Sequence, residues 1–127
     1  MKENKLTIII NKPVAEVFTF GINPINTPDW VESIIQEEVD GFPIKVGSIY
    51  KNTSPEGVWS EYTVSKFDEN KLFELTDKSS SYKVKYTFTQ ISENQTELEY
   101  LEWMEDGELS SPFPMKSLRK LKELIEI

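Results

Sequence analysis

The 127-residue chain contains no cysteine and no histidine. Without cysteine there is no disulfide framework, thiol nucleophile or thiolate metal site. Without histidine the commonest general base and the commonest metal ligand are missing. Ser-His-Asp and Cys-His catalysis within this chain are therefore excluded. Acidic pairs such as Glu37-Glu38 and Glu105-Asp106 lack the spacing of a metal-binding loop and read as solvated loops, so neither a metal nor a cofactor is expected. Long apolar runs are missing too. No stretch approaches the roughly 20 residues of a membrane span, and the apolar run after the charged Met1–Lys5 is too short for a signal peptide. A soluble cytoplasmic protein without membrane insertion is expected. Basic residues are in deficit, 14 against 22 acidic ones, for a net charge of -8. Such a surface repels phosphate backbones, so no nucleic-acid partner is expected. The one cationic cluster, Lys116, Arg119, Lys120 and Lys122, lies near the C-terminus, where cations complement a helix dipole, and reads as a solvated helix face.

What is present suffices for one domain spanning residues 1–127. A globular chain of this size buries roughly two-thirds of its unfolded surface, and 38% apolar residues with 12% aromatics can fill a core. Leu6, Ile8 and Ile10 alternate as in a first strand. Asn11-Lys12-Pro13 then reads as an N-cap followed by a first-turn proline, and Val14, Val17 and Phe18 give the helix one apolar face. Two prolines between Asn23 and Trp30 limit the next element to a short helix or turn. Strands are expected at Ile34–Val39, Ile49–Thr53, Val58–Phe67, Leu72–Thr76, Tyr82–Ile91 and Thr96–Met104. Short polar turns join them, among them Ser54-Pro55-Glu56-Gly57 with the pattern of a type I turn. Strands joined in this way form an antiparallel meander.

The last two strands carry the clearest pattern. Tyr82, Val84, Tyr86 and Phe88 alternate with Lys83, Lys85, Thr87 and Thr89, and Leu98 and Tyr100 continue the apolar face opposite Glu97 and Glu99. Lys83 and Lys85 are expected to pair with those glutamates. Met115, Leu118, Leu121 and Ile125 recur at helical spacing, so an amphipathic helix of about 20 Å closes the chain. Its apolar stripe needs a partner, and the concave aromatic face is the large one available.

These features resemble the START-like helix-grip superfamily (SRPBCC), particularly its polyketide cyclase/dehydrase-type members. The likeness is carried by Ile10-Asn11-Lys12-Pro13-Val14-Ala15-Glu16-Val17-Phe18, Trp30, Val46-Gly47-Ser48, Tyr62-Thr63-Val64 and Leu121-Lys122-Glu123-Leu124-Ile125-Glu126, and it spans nearly the whole chain. It implies an α+β fold: a curved antiparallel sheet wrapped around a C-terminal helix, with two short helices after the first strand. It also implies a cavity that takes hydrophobic or amphipathic small molecules in many relatives, some of which catalyse cyclisation or dehydration. No catalytic motif of the family is recognisable, so no catalytic residue is carried over.

A cavity between sheet and helix would be lined by Trp30, Tyr62, Phe73, Tyr82, Tyr86, Phe88, Tyr100, Glu102, Leu118 and Leu121. Alternation from Leu98 points Glu102 toward the aromatic face, where a desolvated carboxyl could act as acid or base. A strand end or bulge at that point would turn it into water, and this second outcome is the expected one. Trp59 and Trp103 fall on the opposite face, as surface aromatics or as contacts to a partner, possible homodimer included. The leading expectation is binding of a hydrophobic or aromatic small molecule without chemistry. An enzyme of the cyclase/dehydrase kind and an interaction domain with a filled cavity are the alternatives.

Overall fold

A computed structural model describes residues 2–127. Among these residues the chain forms seven strands, β1 (Glu3–Ile10), β2 (Gln36–Val39), β3 (Ile49–Thr53), β4 (Trp59–Asp68), β5 (Leu72–Asp77), β6 (Tyr82–Ser92) and β7 (Gln95–Met104), and two α-helices, α1 (Val14–Ile22) and α2 (Met115–Ile125). A single 3₁₀ turn covers Thr27–Asp29. The strands make one antiparallel sheet in the order β1-β7-β6-β5-β4-β3-β2, so the first strand closes the meander beside the last. This curved sheet with a helix at the C-terminus is the helix-grip α+β architecture.

Register decides which residues share the concave face, because directly opposed residues point the same way. Leu6, Tyr100, Tyr86 and Phe73 form one row across β1, β7, β6 and β5. Asn4, Glu102, Val84, Leu75 and Val64 form the next. Tyr62 lies opposite Tyr50, and Asn52 opposite Glu37. A bulge between Val64 and Lys66 restores Phe67 to the face of Phe73.

Several local expectations change. Lys83 lies opposite Trp103 and Lys85 opposite Leu101, so neither meets Glu97 or Glu99. Lys83 pairs with Glu105 at 3.1 Å instead, and Glu99 with Lys5 at 4.0 Å. The register follows from the tight turn after Ser92, which alternation cannot specify. Asn11 does not cap α1; the N-cap position is Pro13, without a side-chain cap. The Asn11 side chain accepts from Gln95 instead, and its backbone N–H donates to Glu126. The strand expected from Ile34 begins only at Gln36, because Ile34 closes a turn on Val31. The turn at Ser54–Gly57 forms as expected: the Gly57 N–H donates to the Ser54 carbonyl at 2.9 Å, and Gly57 takes a φ of 82° that suits glycine.

The closing helix runs 11 residues, about 16 Å. It packs mainly on β1 and α1 rather than across the aromatic rows. Beneath it Ile10, Val17, Leu98, Leu118 and Leu121 are all 0% exposed. Lys122 donates to the Ile9 carbonyl at 2.7 Å and fixes the helix against the first strand. The aromatic part of the concave face is left to other cover.

Candidate functional site

That cover is the segment between β7 and α2, together with Trp30. Phe113, one residue ahead of Pro114, stacks on Tyr100 with ring centroids 4.3 Å apart. Trp30 meets Phe113 at 6.2 Å and Tyr86 at 6.3 Å, both edge to face. Tyr86 touches Tyr100 at 5.4 Å and Phe73 at 5.8 Å, and Tyr62 approaches Tyr82 at 6.5 Å. All five tyrosines of the chain therefore lie on one face of the sheet.

The structure brings together Trp30, Tyr62, Phe73, Tyr82, Tyr86, Tyr100 and Glu102 from the residues expected to line a cavity. Phe88 borders this group, tilted against Tyr86 at 6.4 Å, and packs edge-on to Phe18 of α1 at 5.0 Å. Leu118 and Leu121 are fully buried on α2 in the same continuous core. Phe113 is the residue that sequence reasoning missed. It sits in a proline-flanked segment with no periodicity, so no pattern marked it as an inward-facing ring.

Glu102 departs from expectation. It is 2% exposed and faces inward, because β7 continues without a bulge to Met104. One carboxylate oxygen accepts from the Tyr82 hydroxyl at 2.6 Å. The other accepts from the Asn4 amide at 2.9 Å and from the backbone N–H of Phe113. Asn4 also donates to the Phe113 carbonyl at 3.1 Å. Glu102 thus joins β1, β6 and the covering segment at one point. Tyr82 is the one tyrosine whose hydroxyl donates to this carboxylate.

A second carboxylate faces the same space. Glu37 lies on β2, half-buried, not in a solvated loop. Its oxygens accept from the Thr27 hydroxyl at 2.6 Å and the Asn52 amide at 3.1 Å. Burial raises its pKa above the ordinary carboxylate value, and those two hydrogen bonds pull the other way. The signal that could have found it is the alternation Glu37–Val39 on a strand whose inner face continues through Tyr50.

Burial likewise pushes up the tyrosines, since phenolate is disfavoured away from water. Tyr62 rises to about 12, with Asp77 and Glu37 adding repulsion. Tyr50, Tyr82, Tyr86 and Tyr100 are raised further. Tyr50 donates to the Ile22 carbonyl at 2.7 Å. All five are therefore neutral hydrogen-bonding groups at physiological pH.

Tyr86 keeps accessible surface although its ring meets Trp30, Phe73 and Tyr100, and Tyr62 and Tyr82 keep some as well. The indole N–H of Trp30, itself 2% exposed, has no hydrogen-bond partner. At the rim a depression of about 260 Å³ is lined by Tyr82, Glu102, Met104, Leu109, Ser110 and Ser111. Larger depressions of about 570 and 500 Å³ lie elsewhere, one beside Lys51, Trp59 and Lys78, the other between Phe20 and Leu124. Both are open surface grooves away from the tyrosine cluster. Among the described residues no three acidic side chains converge as metal ligands, and no helix is long and apolar enough to cross a membrane.

Compared by sequence, the chain matches no family profile and no curated protein. Compared by structure, it is similar to the Aha1 dimer from Colwellia psychrerythraea, with a TM-score of 0.72 at 16% identity over 100% of this chain and 98% of that one. XoxI from Bacillus cereus gives a TM-score of 0.76 at 13% identity over 98% and 96%. The di-domain ARO/CYC protein BexL from the BE-7585A biosynthetic pathway gives 0.65 at 12% identity, over 80% of this chain and 35% of that one. At these identities the likeness is one of fold: the chain shares the helix-grip fold of these structures.

Proposed function

We propose that the protein binds a small, largely aromatic or apolar molecule between the tyrosine-lined part of the sheet and the segment that precedes α2, without chemical change to the molecule. The observation that carries this reading is Tyr86, which keeps accessible surface although Trp30, Phe73 and Tyr100 pack around its ring. The wall offers phenolic hydroxyls and the unpaired Trp30 N–H, a mainly aromatic lining with a few polar groups such as ligand sites present. Phe113 and the Tyr82–Glu102 rim form the entrance.

The second reading is an enzyme of the cyclase/dehydrase kind, favoured by the inward carboxylate of Glu102 and the Tyr82 hydroxyl bonded to it. Both oxygens of that carboxylate, however, are engaged by donors from the protein itself. This arrangement suits a clamp better than a proton acceptor for substrate. A third reading, in which the protein assembles with a second copy, takes support from the Aha1 dimer neighbour and from Trp59, 53% exposed.

Native mass spectrometry of the freshly purified protein is the direct test, with Nile red binding as its complement. In a protein carrying Trp59→Phe and Trp103→Phe, a bound aromatic probe should quench the remaining Trp30 emission. Absence of both a co-purified small molecule and any Trp30 quenching would overturn the binding reading, and a dimer in sedimentation would then favour assembly.

A further inference from the structure

We propose that the bound molecule carries a cationic nitrogen, an apolar amine rather than an acid or a neutral lipid, and that Glu37 is the residue that receives it. This rests on the binding reading above and narrows it to a ligand class.

The argument begins with counter-charges. Three other partly or fully buried glutamates have lysines beside them, although Glu97, partly buried on the opposite face of the sheet, has none among the described residues. Glu74, 4% exposed, has Lys66 at 3.9 Å. Glu61 has Lys78 at 3.3 Å and Lys51 at 4.0 Å. Glu126 pairs with Lys122. Among the described residues Glu37 and Glu102 have neither lysine nor arginine within ion-pairing distance. No lysine or arginine belongs to the buried set at all. The concave face is thus negative, with no positive group of its own.

The two carboxylates differ in what they have left to give. Glu102 has three donors on its two oxygens. Glu37 has one donor on each oxygen, Thr27 and Asn52, so each keeps acceptor capacity. Register places it on the face of Tyr50 and Tyr62, and it acts electrostatically on the hydroxyls of Tyr50, Tyr62 and Tyr86. Tyrosine rings around a carboxylate make a favourable setting for a desolvated cation, through ring quadrupoles as well as charge. A ligand carboxylate in the same place would face two like charges with no compensating base.

Trp30 adds an independent requirement. Its unpartnered N–H, on the ring that meets Tyr86, needs an acceptor, and leaving such a donor unpaired in the interior is unfavourable. An aromatic amine that also carries an oxygen acceptor meets both demands.

Three matched probes test this by isothermal titration at neutral pH: 1-naphthylmethylamine, 1-naphthylmethanol and 1-naphthoate. The amine should bind the unaltered protein at least about tenfold more tightly than either of the others. Glu37→Gln should remove that preference, lowering affinity for the amine about tenfold while leaving the alcohol unchanged. Glu61→Gln, on the convex face, removes the same unit of charge and should leave the preference intact. Equal binding of alcohol and amine, tighter binding of naphthoate, or an equal loss in both variants overturns the proposal. The last result would mean that the net charge of the protein, not Glu37, attracts the amine. If none of the three probes binds, the binding reading itself fails and this proposal fails with it.

Discussion

The concave face has two ends built on different principles. Under α1 and α2 it is aliphatic and closed, with Val17, Leu98, Leu118 and Leu121 at 0% exposure. Under Trp30 and the segment before α2 it is phenolic, with Tyr62, Tyr82 and Tyr86 retaining accessible surface and Glu102 facing in, while Glu37 faces in from the far edge strand, held by Thr27 and Asn52. The same sheet supplies both. Adjacent rows of one strand pass from Leu98 to Tyr100 to Glu102, from apolar packing to hydrogen-bonding capacity, in four residues. The contrast shows how this domain divides its labour: one end is packed for stability alone, and the other combines packing with hydrogen-bonding groups that can carry polar chemistry.

The largest effect should come from the aliphatic end. Leu121→Ala removes a fully buried side chain beneath α2 and should cost about 2–5 kcal/mol, through lost burial plus a residual cavity. Chemical denaturation measures this directly. A loss below that of any change at the phenolic end would erase the distinction between the two.

Next comes the clamp. Glu102→Gln keeps the shape but puts an amide N–H where a donor already points, and should cost about 1–3 kcal/mol. Because the Phe113 N–H loses its charged acceptor, amide exchange should accelerate locally between residues 105 and 114 while the β6–β7 ladder stays protected. Uniform acceleration throughout the sheet would show that Glu102 supports the core instead of the covering segment.

Phe113→Ala should cost about 1–2 kcal/mol, less than a fully buried ring, since Phe113 is half-buried. It should also increase Nile red binding by uncovering Tyr100. Reduced dye binding would mean that Phe113 forms part of the binding wall and not its cover.

The smallest effect is a slope in pH. Burial raises the Glu37 pKa, so the folded state holds that proton more tightly than the unfolded chain. The resulting contribution is complete below the unfolded value and is lost as pH rises through the folded one. Glu126, at the other end, is lowered by the Asn11 N–H and Lys122. Its contribution is present above the unfolded value and is lost as pH falls. Stability measured on both sides of the ordinary carboxylate value should therefore lose part of its decline above that value in Glu37→Gln and part of its fall below that value in Glu126→Gln. Changes in the same pH window for both variants would show that a shared charge effect, not two local environments, sets them.

How far these ends were visible beforehand follows from the range of each interaction. Alternation along β6 and β7 showed that Tyr82, Tyr86 and Tyr100 share a face, and helical spacing showed that Leu118 and Leu121 are buried. Both patterns are local, set by the period of the backbone. The position of Glu102 could not be settled in this way, because a single bulge would have reversed it. Glu37 falls in the strand expected at Ile34–Val39, yet the Glu37-Glu38 pair reads as solvated, since nothing within a few residues of it reveals that Asn52 and Thr27 will close around it. Phe113 lies between prolines in a segment without period.

By itself, then, the sequence determined the order of elements, the antiparallel meander and the aromatic face, because strand and helix periods are written in neighbouring residues. Only the tertiary structure decided that α2 would lie over β1 and α1, that Phe113 would cover the tyrosines, and that two carboxylates would face them. Those outcomes depend on register and on contacts such as Phe113 to Tyr100 or Asn4 to Glu102, 98 residues apart in the chain. Such pairings arise from the closure of the whole sheet, which no local pattern encodes.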